Sequence, residues 1–411
     1  MVDFQKIREE QWPGLKDITF LDAACVSLTP QNAVKEMCDF VHYTAKNEEF
    51  TSTAHHLAMD ARRHKAYEEA AKLLNADMNE IALVESTTYG LNIAAQTMKL
   101  NPGDTVLTTS LEFLQVAMPW CMMRETHGIN VKAVKGRNGR FELSDFVECI
   151  DDSVKMIVMS SVEWCNGWRM NLKEIGDYCK AHGIYLVIDA VHEMGVMKID
   201  TKEIYVSLLV AGGHKWMNSP FGTGVMYVNK ELIPQLTPPT WGYLNTVAPE
   251  GGWGAYFGDP KSKSINDWQF PADSARKFEV GGTCNYLGAI ALGESLGLIN
   301  EIGIDNIQAH VLELRDYLYA ELPKIGAHLT TQPDKDHRSG LVVFRFYNDP
   351  AEEHKLVEFL HQHKIYCACR FTDGIGGVRI ACQYYVTKAD LDRLIEVLKE
   401  AAKIKAPDFK A

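Results

Sequence analysis

At 411 residues, with 46% hydrophobic and 23% charged residues, the chain is sized for about two or three domains around ordinary soluble cores. Forty-two basic residues against 54 acidic ones leave a net charge of −12, which excludes a general attraction to nucleic acid or an anionic membrane. The ten cysteines contain no CxxC pair, so no metal or redox site is indicated, and reduced thiols in a cytoplasmic protein are expected.

The first 17 residues, MVDFQKIREEQWPGLKD, have no basic region followed by an apolar run, so no signal peptide is expected. No stretch approaches the ~18 apolar residues of a membrane span. Residues 1–30 are expected to form an arm that packs on a small C-terminal domain. From there to residue 290, short apolar runs alternate with helical patterns. IALVES (81–86), TVLTTS (105–110), MIVMSSV (156–162), YLVIDAV (185–191) and SLLVAG (207–212) predict buried strands. Helices are predicted over 62–74, 142–150 and 172–182. This alternation predicts an α/β fold, with a large domain (31–290) built on a mostly parallel sheet covered by helices.

The segment 237–277 breaks the pattern. It is rich in Gly, Pro and aromatics, including Trp241, Trp253 and Trp268. It reads equally as a substrate-covering loop or a subunit-interface loop. A helical stretch over 285–322 follows, then strand patterns at 341–347, 365–369 and 377–382, with helices near 350–363 and 388–402. These predict a smaller α+β domain over 291–411.

Three runs carry chemistry. In SLLVAGGHKWMNSPFGTGVMYV (207–228) an apolar strand ends in Gly-Gly-His-Lys. A lysine there titrates readily and the glycines leave room for a bulky group, features that suit a Schiff-base lysine at Lys215. Taken alone, such a run more often carries a surface lysine. In YLVIDAVHEMG (185–195), Asp189 closes a strand where a carboxylate needs a cationic partner, and the pyridinium of pyridoxal phosphate (PLP) is one. A helix N-cap is the alternative. In VESTTYGLN (84–92), Thr87 and Thr88 open a helix whose free amides suit a phosphate.

Together these runs resemble the class V aminotransferase family of fold type I PLP enzymes, which includes cysteine desulfurases, selenocysteine lyases, kynureninases and isopenicillin-N-epimerase-like proteins. The resemblance runs from FLDAACVSLTP (20–30) to VRIACQYYVTKADLDRL (378–394). It implies a PLP-dependent enzyme acting on an amino acid, with Lys215 as Schiff-base lysine and base for the α-proton. It also implies Asp189 at the pyridinium nitrogen, His192 near the phenolic oxygen, and Thr87, Thr88 and His214 at the phosphate. Arg379 matches the arginine that grips the substrate carboxylate, and Arg370 is a second candidate. Thr283, in FEVGGTCN (278–285), would reach the phosphate of a neighbouring subunit, implying a homodimer with shared active sites.

The chain also departs from those relatives. Phe113 stands where desulfurases have a ring-stacking histidine; Phe can stack but cannot transfer a proton. Trp164, in VEWCNGWRMNL (162–172), is expected to wall the pocket, with donation to a cofactor oxygen as the alternative. FTDGIGG (371–377) has no cysteine where desulfurases carry their nucleophile, which disfavours persulfide formation by the usual route. The preferred reading is a lyase that eliminates a sulfur or other group from Cβ of a β-substituted amino acid. Epimerase and aminotransferase readings follow, and a non-catalytic role comes last. For epimerisation, His55, His56 or Cys25 would have to supply a second acid.

Overall fold

The computed structural model describes residues 2–263 and 268–410. After a short strand β1 (Thr19–Phe20), the chain builds a seven-stranded sheet from β2 (Ile81–Val84), β3 (Thr105–Thr109), β4 (Asn130–Val134), β5 (Val154–Ser160), β6 (Tyr185–Asp189), β7 (Leu208–Gly212) and β8 (Gly224–Val228). The spatial order is β2-β8-β7-β6-β5-β3-β4. Only β8 runs against its neighbours; the other adjacencies are parallel.

The apolar runs are continuous because both faces of the sheet are covered. Alternate residues of each strand fall into two separate cores: Ile81, Leu83, Leu209 and Ala211 into one, Ala82, Val84, Leu208 and Val210 into the other. The helix over Leu172–His182 forms where the pattern predicts it. The Asn171 side chain caps its start by accepting from the Glu174 amide (3.2 Å), and Gly183 ends it in the left-handed conformation that a side chain resists.

The expected helical stretch over 285–322 is two helices, Tyr286–Ile302 and Ile304–Glu321. Gly303, with φ 87°, breaks them apart, and the two axes bend by 80°. Five further strands follow: β9 (His328–Leu329), β10 (Leu341–Arg345), β11 (Ile365–Tyr366), β12 (Ala368–Thr372) and β13 (Ile375–Ala381). Four of them make an antiparallel sheet, β12-β13-β10-β9, and β11 pairs in parallel with β1.

The FTDGIGG segment is a tight hairpin between β12 and β13. Asp373 and Gly374 turn it with φ of 48° and 77°, the positive pair that a two-residue hairpin needs. The N-terminal segment is tied to the C-terminal one. Arg8 grips Asp390 through two bonds, 2.9 and 3.1 Å, and the Ala381 amide donates to Leu21 O at 2.8 Å. A further bond, from Ser27 N to His214 O (2.7 Å), pins the turn after β1 beside Lys215.

Of segment 237–277, residues 264–267 lie outside the described residues. The rest holds a short helix, Gly252–Gly258, and an aromatic cluster in which Trp253 packs on Tyr243, Tyr256, Phe257 and Trp268.

Candidate active site

Parallel strands deliver their carboxyl ends to one edge of the sheet, and the singled-out residues collect there. Asp189 ends β6, Lys215 follows β7 by three residues, Ser86 and Thr87 follow β2, and Ser160 ends β5. They share one cavity of about 350 Å³ with Cys25, Thr88, Phe113, Trp164, His192, His214, Arg370 and Arg379.

Lys215 Nζ lies 3.3 Å from His192 Nε2. The other imidazole nitrogen, Nδ1, accepts the indole N–H of Trp216 at 3.1 Å. Indole nitrogen only donates, so Nδ1 carries no proton and neutral His192 is protonated at Nε2. Burial, reinforced by the charge on Lys215, holds His192 well below its usual range and keeps it neutral. Burial also brings Lys215 down to about 8, against the pull of Asp189. Asp189 accepts from the Val191 amide at 2.9 Å, and burial raises it to about 6 while Lys215 opposes the rise. Its second oxygen has no hydrogen bond among the described residues. His214 stacks on Phe221, and burial followed by the charge on Lys215 lowers it to about 4.

Ser86 caps the helix Thr87–Thr97 by accepting from the Tyr89 amide at 3.1 Å. The Thr87 hydroxyl accepts from the Gly212 amide at 2.8 Å, so its own hydrogen is left to donate. The first amides of that helix and two threonine hydroxyls therefore stand together at the positive end of the helix dipole.

On another wall, Phe113 meets Trp164 edge to face, with ring centres 5.3 Å apart. The Trp164 indole N–H donates to Leu111 O at 2.9 Å, so this ring offers the cavity a surface and no proton. Arg379, on β13, is 2% exposed. It donates to Trp164 O at 3.1 Å and pairs with Asp22 at 3.4 Å, while its buried Nε has no partner among the described residues. Arg370 donates to Cys369 O and lies 4.0 Å from Cys25 Sγ.

Three expected groups are elsewhere. His55 sits on the helix Ser52–Ala61 against the Tyr43 ring, not in the cavity, and His56 bonds the Tyr286 hydroxyl. Thr283 is exposed and lines no part of this chain's own cavity. No described residue of 237–277 lines it either: Trp253 and Trp268 pack on each other, and Trp241 is exposed.

Sequence reasoning missed one buried feature. Glu112 accepts from both the amide and the hydroxyl of Ser160, at 2.5 and 2.7 Å. Glu163 accepts from the Thr109 hydroxyl at 2.5 Å, and its other oxygen is buried without a partner among the described residues. Burial raises Glu163 to about 8; burial and the neighbouring Glu163 raise Glu112 well above the carboxylate range. Two such carboxyls cannot both ionise at neutral pH, so the pair keeps a proton. The signal was present in the sequence as two glutamates embedded in apolar runs, LEF and VEW.

A family model for aminotransferase class-V matches residues 19–394. A probable cysteine desulfurase from Methanothermobacter thermautotrophicus is 28% identical over 404 residues, covering 95% of this chain and 96% of its own. A cysteine desulfurase from Haloferax volcanii is 25% identical over 408 residues, covering 94% and 90%. Among solved structures, the apo cysteine desulfurase from Thermococcus onnurineus NA1 matches with a TM-score of 0.84 at 22% identity, covering 98% of this chain and 99% of that one. The cystine C–S lyase C-DES, in complex with its reaction product cysteine persulfide, matches with a TM-score of 0.83 at 20% identity, covering 95% and 99%. At these identities the structural matches establish a common fold.

Proposed function

This chain belongs to the aminotransferase class-V family and is a PLP-dependent enzyme, and on that premise we propose that it cleaves the Cβ–S bond of a cysteine-type amino acid. The observation that carries the reading is the placement of Lys215 Nζ, 3.3 Å from His192, in one cavity with Asp189 and the buried guanidinium of Arg379. The relatives named as desulfurases and as a C–S lyase support the choice of bond.

The donor set fits the cofactor. Asp189 keeps one oxygen free for the pyridinium nitrogen, and neutral His192 has an Nε2–H to give to an anionic oxygen. Thr87, Thr88, His214 and the amides at the helix start would hold the phosphate. Bound PLP supplies an electron sink that makes the α-hydrogen of an amino acid acidic.

The chain's residues supply the rest. Arg379, which lines the cavity, receives the substrate carboxylate. Lys215, lowered to about 8, is partly neutral near physiological pH and takes the α-proton as a general base. Phe113 and Trp164 shield the cavity from water on their side. Neither ring brings a titratable proton, which weighs against an epimerase.

Product analysis in deuterated water tests the reading. Incubation with cysteine and S-substituted cysteines is expected to yield alanine or pyruvate together with the released sulfur. An intact amino acid with inverted configuration and deuterium at Cα would overturn it.

A further inference from the structure

We propose that Gln115 and Arg370 receive the far end of the substrate's side chain, and that the enzyme takes cysteine thioethers whose sulfur substituent ends in a carboxylate. The proposal rests on the C–S cleavage reading above and names the substrate class for that same cavity. The cavity has a floor and a mouth. Asp189, His192 and Arg379 are buried, whereas Gln115 and Arg370, which line the same cavity, are half-buried. The reacting end of an amino acid lies at Lys215 and Arg379, so whatever its sulfur carries extends toward the mouth.

Gln115 is the second residue of the helix Leu114–His127. Its carboxamide offers both donors and acceptors, and none of them is used among the described residues. Other polar groups of the wall are engaged inside the protein. The Ser86 hydroxyl accepts from the Tyr89 amide, the Ser160 hydroxyl donates to Glu112, and the Trp164 indole donates to Leu111 O. Arg370, on β12, donates to the carbonyl of the preceding residue, Cys369, at 2.9 Å, and no carboxylate pairs with it among the described residues. Arg379 differs in being paired with Asp22. Two guanidiniums thus line a cavity of about 350 Å³, and an ordinary amino acid brings one carboxylate. A second carboxylate, at the end of the side chain, gives Arg370 its counter-charge and accepts from the Gln115 amide. Phe113 and Trp164 offer the apolar surface that suits a thioether's sulfur and methylene groups.

The step balances without an oxidant. Lys215 takes the α-proton, the electron pair left at Cα forms a double bond to Cβ, and the pair of the Cβ–S bond departs on sulfur. The thiolate takes up a proton and leaves as a mercapto acid. Water replaces nitrogen in the released enamine, giving pyruvate and ammonium.

The test compares S-carboxymethyl-L-cysteine with its uncharged isostere S-carbamoylmethyl-L-cysteine and with S-ethyl-L-cysteine on the holoenzyme. Preference is read as kcat/KM for thiol release and as the apparent dissociation constant from the change in the cofactor's visible absorbance. The carboxymethyl compound should be preferred to both others on the order of 10-fold or more. Gln115→Leu should lower its preference over the ethyl compound about tenfold. Gln115→Glu, which sets a carboxylate against a carboxylate, should reverse the order of the carboxymethyl and carbamoylmethyl compounds, a change that general damage to the cavity does not produce. A parent enzyme without the carboxylate preference, or Gln115 variants that keep it in full, would overturn the proposal. Cleavage of cysteine or S-ethyl-L-cysteine alone would overturn it too, while leaving the C–S cleavage reading intact. Absence of C–S cleavage with every compound, cysteine included, would overturn both.

Discussion

The indole N–H of Trp216 donates to Nδ1 of His192, and Nε2 of the same ring meets Lys215 Nζ. Trp216 is fully buried, so this bond is made without competition from water. The residue after the lysine thus sets which proton the histidine can offer. Trp216→Phe removes the donor and leaves both tautomers open. It is expected to lower kcat/KM by about tenfold, the equivalent of one buried hydrogen bond. It should also shift the visible band of the bound cofactor. Absorbance spectra and steady-state kinetics check both effects; unchanged spectra would mean that the tautomer is fixed by something else.

Glu163 gives a pH signature to stability. Its folded value, about 8, lies above the usual carboxylate value of 4.5, so the folded chain binds more protons than the unfolded one between those limits. Stability from this group therefore falls as pH rises through that window. Glu163→Gln keeps an oxygen for Thr109 and removes the titration. The variant should be more stable than the parent at pH near 8 by a few kcal/mol, about the size of the shift it removes, and nearly equal to it near pH 4.5. Urea unfolding of both proteins across the window decides this.

Arg379 holds Asp22 and Trp164 O, and its buried Nε has no partner among the described residues. Arg379→Lys preserves the charge but loses the planar fork. KM for the amino-acid substrate should rise on the order of 10- to 100-fold, with a smaller change in kcat. Amines that lack a carboxylate should respond equally to both proteins; a loss with those as well would mean that the variant damages the cavity and not carboxylate binding.

The sequence made most of the sheet legible, because a strand buried on both faces is apolar at every position. That explains β2, β3, β5, β6 and β7. Lys215, Asp189, His192 and Thr87 could be singled out because each follows or ends such a strand, and Arg379 because its motif resembles the family's. The break at Gly303 was hidden, since apolar spacing continues through both helices and the backbone turn rests on one glycine. His55 was drawn toward the site by residue type alone, and its contacts with Tyr43 depend on how two helices pack. The Glu112–Glu163 pair was missed because its partners end different strands and come together only when β3 and β5 lie side by side. The 371–377 segment joins two predicted strands, and the positive φ of Asp373 and Gly374 makes it a hairpin turn.

The most direct test of the account is reduction of the holoenzyme with borohydride, followed by digestion and peptide mapping. A neutral amine fraction at Lys215, lowered to about 8, and a carboxylate at Asp189 make this lysine the one suited to bond the cofactor aldehyde. The yellow colour of the bound cofactor should bleach, and the reduced pyridoxyl group should be found on the peptide containing Lys215. A pyridoxyl group on another lysine, or a protein that takes up no cofactor when PLP is supplied, would contradict it.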